Sequence, residues 1–252
     1  MNMDPIAEKL LAFAMVLTRI SAFVLVAPIF SSESIPARIK AAVILLLSIF
    51  IFMVKAPQVS FASGVALEIV VLLAIETVYG LALGLILALV FATVSLCGRI
   101  VEREMGLTLA EIIDPMTGEP AQPLSMLLEM LFIIMFLAAN GHHLFILTIS
   151  RSYDVFAAGS IPSISILTAG VIEAGSTMLI AGLRLAAPML AAFLLLLVAL
   201  GVLARIAPEM DILFSSLSMR VGVGLIMTMV FVPFINGFVS EFAEWMNKLL
   251  PL

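Results

Sequence analysis

The sequence predicts an all-α integral membrane protein, on the evidence of its composition and of the length of its apolar blocks. Of the 252 residues, 63% are hydrophobic and 12% are charged, whereas charged residues make up about 25% of a soluble domain. The mean hydropathy is +1.28. Several apolar blocks reach the roughly 20 residues that a helix needs to cross a bilayer. We therefore expect residues 1–252 to form a single polytopic membrane domain of about five to seven spans.

The apolar blocks follow one another along the chain, with shorter polar segments between them. They cover residues 10–30, 39–54, 61–98, 124–149, 164–200 and 221–239. As straight helices, the third and fifth blocks would be about 57 and 55 Å long, nearly twice the hydrocarbon core. Each is therefore a tight hairpin or a long helix that leaves the membrane plane. Pro28, Pro188 and Pro233 mark positions where the helices are expected to bend.

Small residues recur every four positions in the third block. Gly80, Gly84, Ala88 and Ala92 would form a ridge on one helix face. Such a ridge allows another helix to approach closely. The pattern predicts a helix-packing ridge, and the approaching helix could belong to this chain or to another subunit.

Ionisable side chains interrupt the apolar blocks at six positions: Arg19, Glu68, Glu76, Glu129, Glu173 and Arg184. A charge at membrane depth is costly unless it is paired, hydrated or shielded from lipid. We therefore predict that these residues form inter-helix or inter-subunit ion pairs. A proton relay is the alternative, but nothing in the sequence orders the six charges into a path across the membrane. Glu173 and Arg184 would lie about 16 Å apart along one helix, so each needs a partner elsewhere.

Motifs for catalysis, cofactors and metals are missing from the sequence. It contains no nucleophile elbow, zinc-binding helix or phosphate-binding loop, so we expect no enzyme, no cofactor and no metal. Cys97 is the only cysteine, which excludes an intramolecular disulfide and a thiol-rich metal site. His142 and His143 are adjacent and would point about 100° apart on a helix, so with Asn140 they indicate a helix bend or a wet interface. The net charge of -5, without a basic stripe, argues against nucleic acid as a partner.

The segment from about residue 99 to 123 is the longest one that is not apolar. It begins with Arg99, Glu102, Arg103 and Glu104 among apolar residues and then reaches an Asp-Pro turn that ends at Gly118. One interpretation is an amphipathic helix on the bilayer interface followed by a turn. The other is a structured loop inserted among the helices or into a pore.

Several stretches together resemble the FliR family of flagellar type III export-gate proteins, which is related to the injectisome SctT proteins. The resemblance covers nearly the whole length and the order of the motifs, and it rests on Leu25-Val-Ala-Pro28, Ile35-Pro-Ala-Arg38-Ile-Lys40, Asp114-Pro-Met-Thr-Gly118, Asn140-Gly-His-His143, Leu183-Arg-Leu-Ala-Ala-Pro188 and Val202-Leu-Ala-Arg-Ile-Ala-Pro-Glu-Met-Asp-Ile212. It implies tilted, kinked helical hairpins stacked into a spiral gate, much of it raised out of the bilayer.

The resemblance also implies partners and a location. They are FliP and FliQ in the gate complex, with FlhB and FlhA in the export apparatus, in the bacterial inner membrane at the flagellar basal body. Exported, unfolded flagellar proteins would be the cargo, and membrane lipid would surround the complex.

The family's pore-closing loop would map to about residues 106–122. The plug would comprise Gly106, Ile112, Ile113, Asp114, Pro115, Met116 and Gly118, of which the isoleucines, proline and methionine would fill the lumen. Two further prolines, Pro120 and Pro123, depart from the family pattern. The charges and prolines alone also fit a small-solute or ion transporter subunit, which is the alternative to an export gate.

Overall fold

The protein is seen here in a computed structural model that describes residues 5–31, 35–55, 66–107, 122–160, 164–206 and 212–249. Most of these residues are helical, and none of them lies in a strand. The helices are α1 Pro5–Val26, α2 Pro28–Ser31, α3 Ala37–Lys55, α4 Ala66–Glu104, α5 Pro123–Ala138, α6 Gly141–Val155, α7 Ile164–Ile206 and α8 Ile212–Leu249.

Within these ranges, five helices are long and apolar enough to cross a membrane, namely α1, α3, α4, α7 and α8. The pair α5 and α6 passes the same test when the two are taken together. The predicted all-α integral membrane fold is confirmed.

The two over-long apolar blocks are continuous helices and not hairpins. Helix α4 has 39 residues and α7 has 43, or about 58 and 64 Å at the usual helical rise. Helix α7 continues through Pro188 and α8 through Pro233, whereas Pro28 begins α2 immediately after a break at Ala27.

The chain forms two compact units, and three of the four boundaries between them fall inside continuous helices. The first unit comprises Met1–Val90, Asn140–Gly175 and Ala243–Leu252, and the second comprises Phe91–Ala139 and Ser176–Phe242. Helices α4, α7 and α8 therefore contribute residues to both units. The predicted single membrane domain stays a prediction.

The first unit is built around α1. Buried residues recur on α1 every three or four positions, including Met15, Ile20 and Phe23, which is the spacing of one helix face. Phe13 meets Phe52 of α3 edge to face, with ring centroids 5.7 Å apart. Phe23 meets Phe145 of α6 in the same manner at 6.4 Å. These contacts fix α3 and α6 against α1.

The second unit has an aromatic core. The ring of Phe91 on α4 lies edge to face with those of Phe132 and Phe136 on α5, at centroid distances of 5.0 and 5.3 Å. Phe242 of α8 joins them, 5.8 Å from Phe136. Because edge-to-face pairs stabilise beyond simple burial, this cluster ties α4, α5 and α8 together.

The break between α5 and α6 lies at the predicted helix bend. Asn140 has a left-handed backbone with φ of 61°, a conformation that asparagine tolerates better than most residues. His142 and His143 follow it, exposed, in the first turn of α6.

Candidate functional site

Arg19 of α1 and Glu76 of α4 form a buried ion pair, here called the Arg19–Glu76 centre. Arg19 Nε donates to Glu76 Oε2 over 2.6 Å, and the two side chains are 1% and 0% exposed. Breaking a buried pair leaves an uncompensated charge, so these groups are accommodated only while α1 and α4 are docked. Two of the six charges singled out in the sequence are therefore inter-helix partners within one chain.

The same arginine also holds the end of α6. Arg19 Nη1 donates to the carbonyl oxygens of Ser152 at 3.3 Å and Phe156 at 3.0 Å, and to Ser152 Oγ at 3.3 Å. The carbonyl of Ser152 also accepts the N–H of Phe156, and the C-terminal end of a helix carries partial negative charge. A guanidinium at this position adds further hydrogen bonds, so Arg19 acts as a C-terminal cap of α6.

Both carboxylate oxygens of Glu76 accept a hydrogen bond. Its second oxygen, Oε1, accepts the N–H of Gly159 over 2.9 Å. Gly159 has φ of 78°, a conformation that favours glycine, and it lies in the turn that follows α6. The two carboxylate oxygens therefore bind the Arg19 guanidinium and the Gly159 backbone N–H. This arrangement is that of a structural ion pair.

Two tyrosines complete the centre. The Cζ atom of Arg19 lies 4.0 Å from the ring centroid of Tyr153 and 4.8 Å from that of Tyr79, within the range of cation–π attraction. In the described part of the chain, both tyrosine hydroxyls and Arg19 Nη2 are buried without a hydrogen-bond partner. Tyr79 in turn stacks on Phe156 at 4.8 Å. The centre therefore joins α1, α4 and α6 through charge, caps and aromatic contacts.

The small-residue ridge faces α1 at its first two positions. A methyl group added to Gly80 would collide with the carbonyl oxygen of Arg19, and one added to Gly84 would lie 2.8 Å from Cβ of Val26. These two glycines therefore allow α4 to pack against α1 within the chain. Ala88 and Ala92 are half-buried.

The base of the predicted plug loop lies in the second unit. Glu102, 3% exposed, accepts the N–H of Leu124 over 3.0 Å and so caps the start of α5, whose own N-cap Gln122 makes no side-chain cap. Ser125 Oγ donates to the carbonyl of Ser95 at 3.0 Å. A methyl group on Gly98 would lie 2.6 Å from Cα of Ser125. The end of α4 and the start of α5 are therefore held side by side.

The segment that begins at Arg99 starts as a continuation of α4. Val101 and Met105 are buried at 0% and 1%, four residues apart, so the apolar face of the helix continues past Arg99 while Arg99 and Arg103 are exposed. Gly106 then ends the helix with φ of 77°. The other predicted plug residues lie outside the described residues: Ile112, Ile113, Asp114, Pro115, Met116 and Gly118.

A second ion pair joins α7 and α8. Arg184 Nη1 donates to Glu241 Oε1 over 3.3 Å, and the two side chains are 77% and 62% exposed. Both residues border a cleft of about 470 Å³ between the two helices that is lined mostly by apolar side chains, including Met189, Met227 and Phe231.

The other charges singled out in the sequence lie apart from these pairs. Glu68 and Glu129 are half-buried, and Glu173 is exposed.

The sequence interpretation did not single out Glu241, Tyr79, Tyr153 or Glu102 as site residues. Glu241 lies beyond the last apolar block, where a charged residue is ordinary and does not by itself indicate a partner. A usable signal for it was the spacing of charges: 20 uncharged residues separate Arg220 from Glu241, as 20 separate Arg184 from Arg205.

Comparison with known proteins identifies the family. The model of bacterial export proteins, family 1, matches residues 10–246. The chain belongs to this family. It is 31% identical over 235 residues to the flagellar biosynthetic protein FliR of Escherichia coli (strain K12), covering 92% of this chain and 89% of that protein. It is 30% identical over 261 residues to FliR of Bacillus subtilis (strain 168), covering 99% and 98%.

An injectisome relative matches over a shorter stretch. The surface presentation of antigens protein SpaR of Shigella flexneri is 29% identical over 171 residues, covering 67% of this chain and 65% of that protein. The resemblance to the FliR family is thus confirmed. Membership of the bacterial export protein family implies a membrane component of a type III export apparatus, in a family known for a structural role.

Proposed function

We propose that this protein is a non-enzymatic subunit of the flagellar type III export gate. It forms with FliP and FliQ the channel that passes unfolded flagellar proteins, beside FlhB and FlhA, in the inner membrane at the basal body. The observation that carries the proposal is the match to FliR proteins along almost the entire chain. The shorter SpaR match favours the flagellar over the injectisome system.

The Arg19–Glu76 centre supports a structural role for the buried charges. Arg19 binds Glu76 and the end of α6, and both oxygens of Glu76 accept hydrogen bonds from the fold. A transport or catalytic carboxylate needs at least one position that its substrate or proton can reach. The centre therefore holds helices in place, and the cargo path lies elsewhere.

We assign the closing of that path to the loop at residues 106–122. The segments on either side of this loop, the end of α4 and the start of α5, are held together by the Glu102–Leu124 and Ser95–Ser125 hydrogen bonds. Ile112, Ile113, Pro115 and Met116 supply the apolar surface that fills the lumen.

Purification in mild detergent with the flagellar export proteins present tests the assignment to a gate. The expected product is a hetero-oligomer that contains this chain, FliP and FliQ. A lone chain that carries full export or transport activity in liposomes would contradict it and would favour a small-solute or ion transporter.

Replacement of residues 107–121 by a Gly/Ser linker tests the plug. The linker keeps Gly106, Gln122 and the Glu102–Leu124 contact, so the complex should assemble while the membrane leaks ions and small solutes. The matched control restores Ile112, Ile113, Pro115 and Met116 within the same linker and should reseal the membrane. Unchanged conductance in the linker variant would refute the plug and favour an interfacial helix.

A further inference from the structure

The Arg19–Glu76 centre contains both tyrosines of the chain and three buried polar atoms that lack a partner. The sequence has 2 tyrosines, Tyr79 and Tyr153, and the guanidinium of Arg19 lies over both rings. Within the described residues, neither phenol hydroxyl has a hydrogen-bond partner, and Arg19 Nη2 has none either. Arg19 and Tyr79 are each 1% exposed and Tyr153 is 7% exposed, so bulk water does not reach them.

Three unpartnered polar atoms in one buried cluster are costly. On burial each atom loses its hydrogen bonds to water and gains no replacement, and folded proteins retain few such atoms. Contact with the two ring faces attracts the charge of the guanidinium. It does not satisfy the in-plane N–H groups of Arg19 Nη2 or the hydroxyls at the ring edges, which still need hydrogen-bond partners.

The other polar groups of the centre are already engaged. Arg19 Nε binds one carboxylate oxygen of Glu76, and the Gly159 N–H binds the other. Arg19 Nη1 binds the end of α6. Ser152 Oγ accepts from Nη1 and donates to the carbonyl of Ile149 over 2.7 Å. A small molecule bound between the three unpartnered atoms would supply what these groups do not.

We propose that the centre is a binding site for ordered water between Arg19 Nη2 and the hydroxyls of Tyr79 and Tyr153. The guanidinium carbon lies 4.0 and 4.8 Å from the two ring centroids, so the three atoms belong to side chains in direct contact. Polar groups that are near each other but too far apart for a direct bond are typically bridged by water. A buried water makes about three hydrogen bonds, which matches the three atoms here.

The charge of the centre favours water over an ion. Glu76 already balances the charge of Arg19, so a further anion or cation would leave a net charge in a buried site. Water is neutral and both donates and accepts. It can accept from Nη2, which only donates, and exchange hydrogen bonds with hydroxyls that do both. This assignment is independent of the export function.

Thermal unfolding of the full chain in detergent micelles tests the inference by the sign of the change. Tyr153→Phe and Tyr79→Phe each keep the ring over Arg19 and remove one oxygen. If that oxygen binds water, each variant should lower Tm by about 2–4 °C, as expected for one net hydrogen bond in a chain of this size. If the oxygen is unpartnered, its removal should leave Tm unchanged or raise it. Either of these outcomes overturns the proposal.

Tyrosine spectroscopy identifies the partner directly, because both tyrosines of the chain lie at this centre. The tyrosine doublet in the Raman spectrum reports whether the phenol hydroxyls are hydrogen-bonded. Magnetisation transfer from water to the ring protons, in full chain that is otherwise deuterated, reports whether water lies beside them. The two Phe variants each leave a single tyrosine and so assign the signals, and the double variant is the blank. We expect hydrogen-bonded hydroxyls and transfer from water at both rings.

Three spectroscopic results would overturn the water site. Hydroxyls that are not hydrogen-bonded would show that the atoms stay unpartnered. Hydrogen-bonded hydroxyls without transfer from water would show that another part of the chain satisfies them. A change in the tyrosine signals when chloride is replaced by sulfate would show that an anion occupies the site.

Discussion

Two arginine–carboxylate pairs in the described part of the chain share the same chemistry but have opposite surroundings. Arg19 and Glu76 lie 2.6 Å apart and are almost fully buried, with additional hydrogen bonds to the end of α6. Arg184 and Glu241 lie 3.3 Å apart and are mostly exposed. The first pair holds three helices together, whereas the second joins two helices. A charge inside an apolar block can therefore be a buried group that stabilises the fold, as Arg19 is, or an exposed group, as Arg184 is.

Substitution of Arg19 should have the largest effect on stability. Arg19→Met leaves the Glu76 carboxylate buried without its counter-ion and the end of α6 without its cap, so the free energy of unfolding should fall by about 3–5 kcal/mol. Unfolding in detergent micelles, followed by circular dichroism, measures it. A loss below about 1 kcal/mol would mean that the pair is not buried as described.

A double variant separates the charge from the contacts. Adding Glu76→Leu to Arg19→Met removes the isolated charge, so the double variant should lose less stability than the sum of the single variants, with a coupling of about 0.5–3 kcal/mol. Strict additivity would show that the two residues do not interact.

The close contact between α1 and α4 comes next in size. Gly80→Ala places a methyl group against the Arg19 carbonyl and should cost about 1–3 kcal/mol through overpacking. The matched control is Gly175→Ala, where a methyl group meets nothing within 4 Å and the better helix former should leave stability unchanged or raise it. Equal effects of the two substitutions in the same unfolding assay would contradict the packing assigned to Gly80.

The exposed pair should have the smallest effect. Arg184→Ala should change the free energy of unfolding by about 0–1 kcal/mol, as for other exposed ion pairs. The same assay, run beside Arg19→Met, checks the difference directly. A loss as large as that of Arg19→Met would show that Arg184 is a structural residue like Arg19.

Composition and block length were sufficient to predict the helical membrane fold. The helix bend at Asn140 was predicted correctly because it depends on the local sequence. Asparagine tolerates a left-handed backbone, and a glycine follows it. The choice between hairpin and long helix for α4 and α7 could not be made from the sequence, since Gly80, Gly84 and Pro188 fit a turn as well as a helix. In the structure, Gly80 and Gly84 lie within a continuous α4 and pack against α1.

The partners of the charges could not be predicted from the sequence. Hydropathy indicates that Arg19 needs a counter-ion, but four glutamates in apolar blocks compete for that role, and tertiary packing selects Glu76. The caps supplied by Arg19 and Glu102 depend on where other helices begin and end, which single-residue patterns do not encode. The plug residues 112–118 lie outside the described residues, so their role stays a proposal.

The most direct test of a structural role for the buried pair is export by Glu76→Gln. Glutamine keeps the shape and an acceptor oxygen but carries neither the charge nor a transferable proton. Secretion of a flagellar substrate is measured per assembled complex, with the complex quantified after purification. We expect fewer complexes but an unchanged export rate for each one. A normal amount of complex that no longer exports would show that Glu76 takes part in transport and would contradict the static role of the pair.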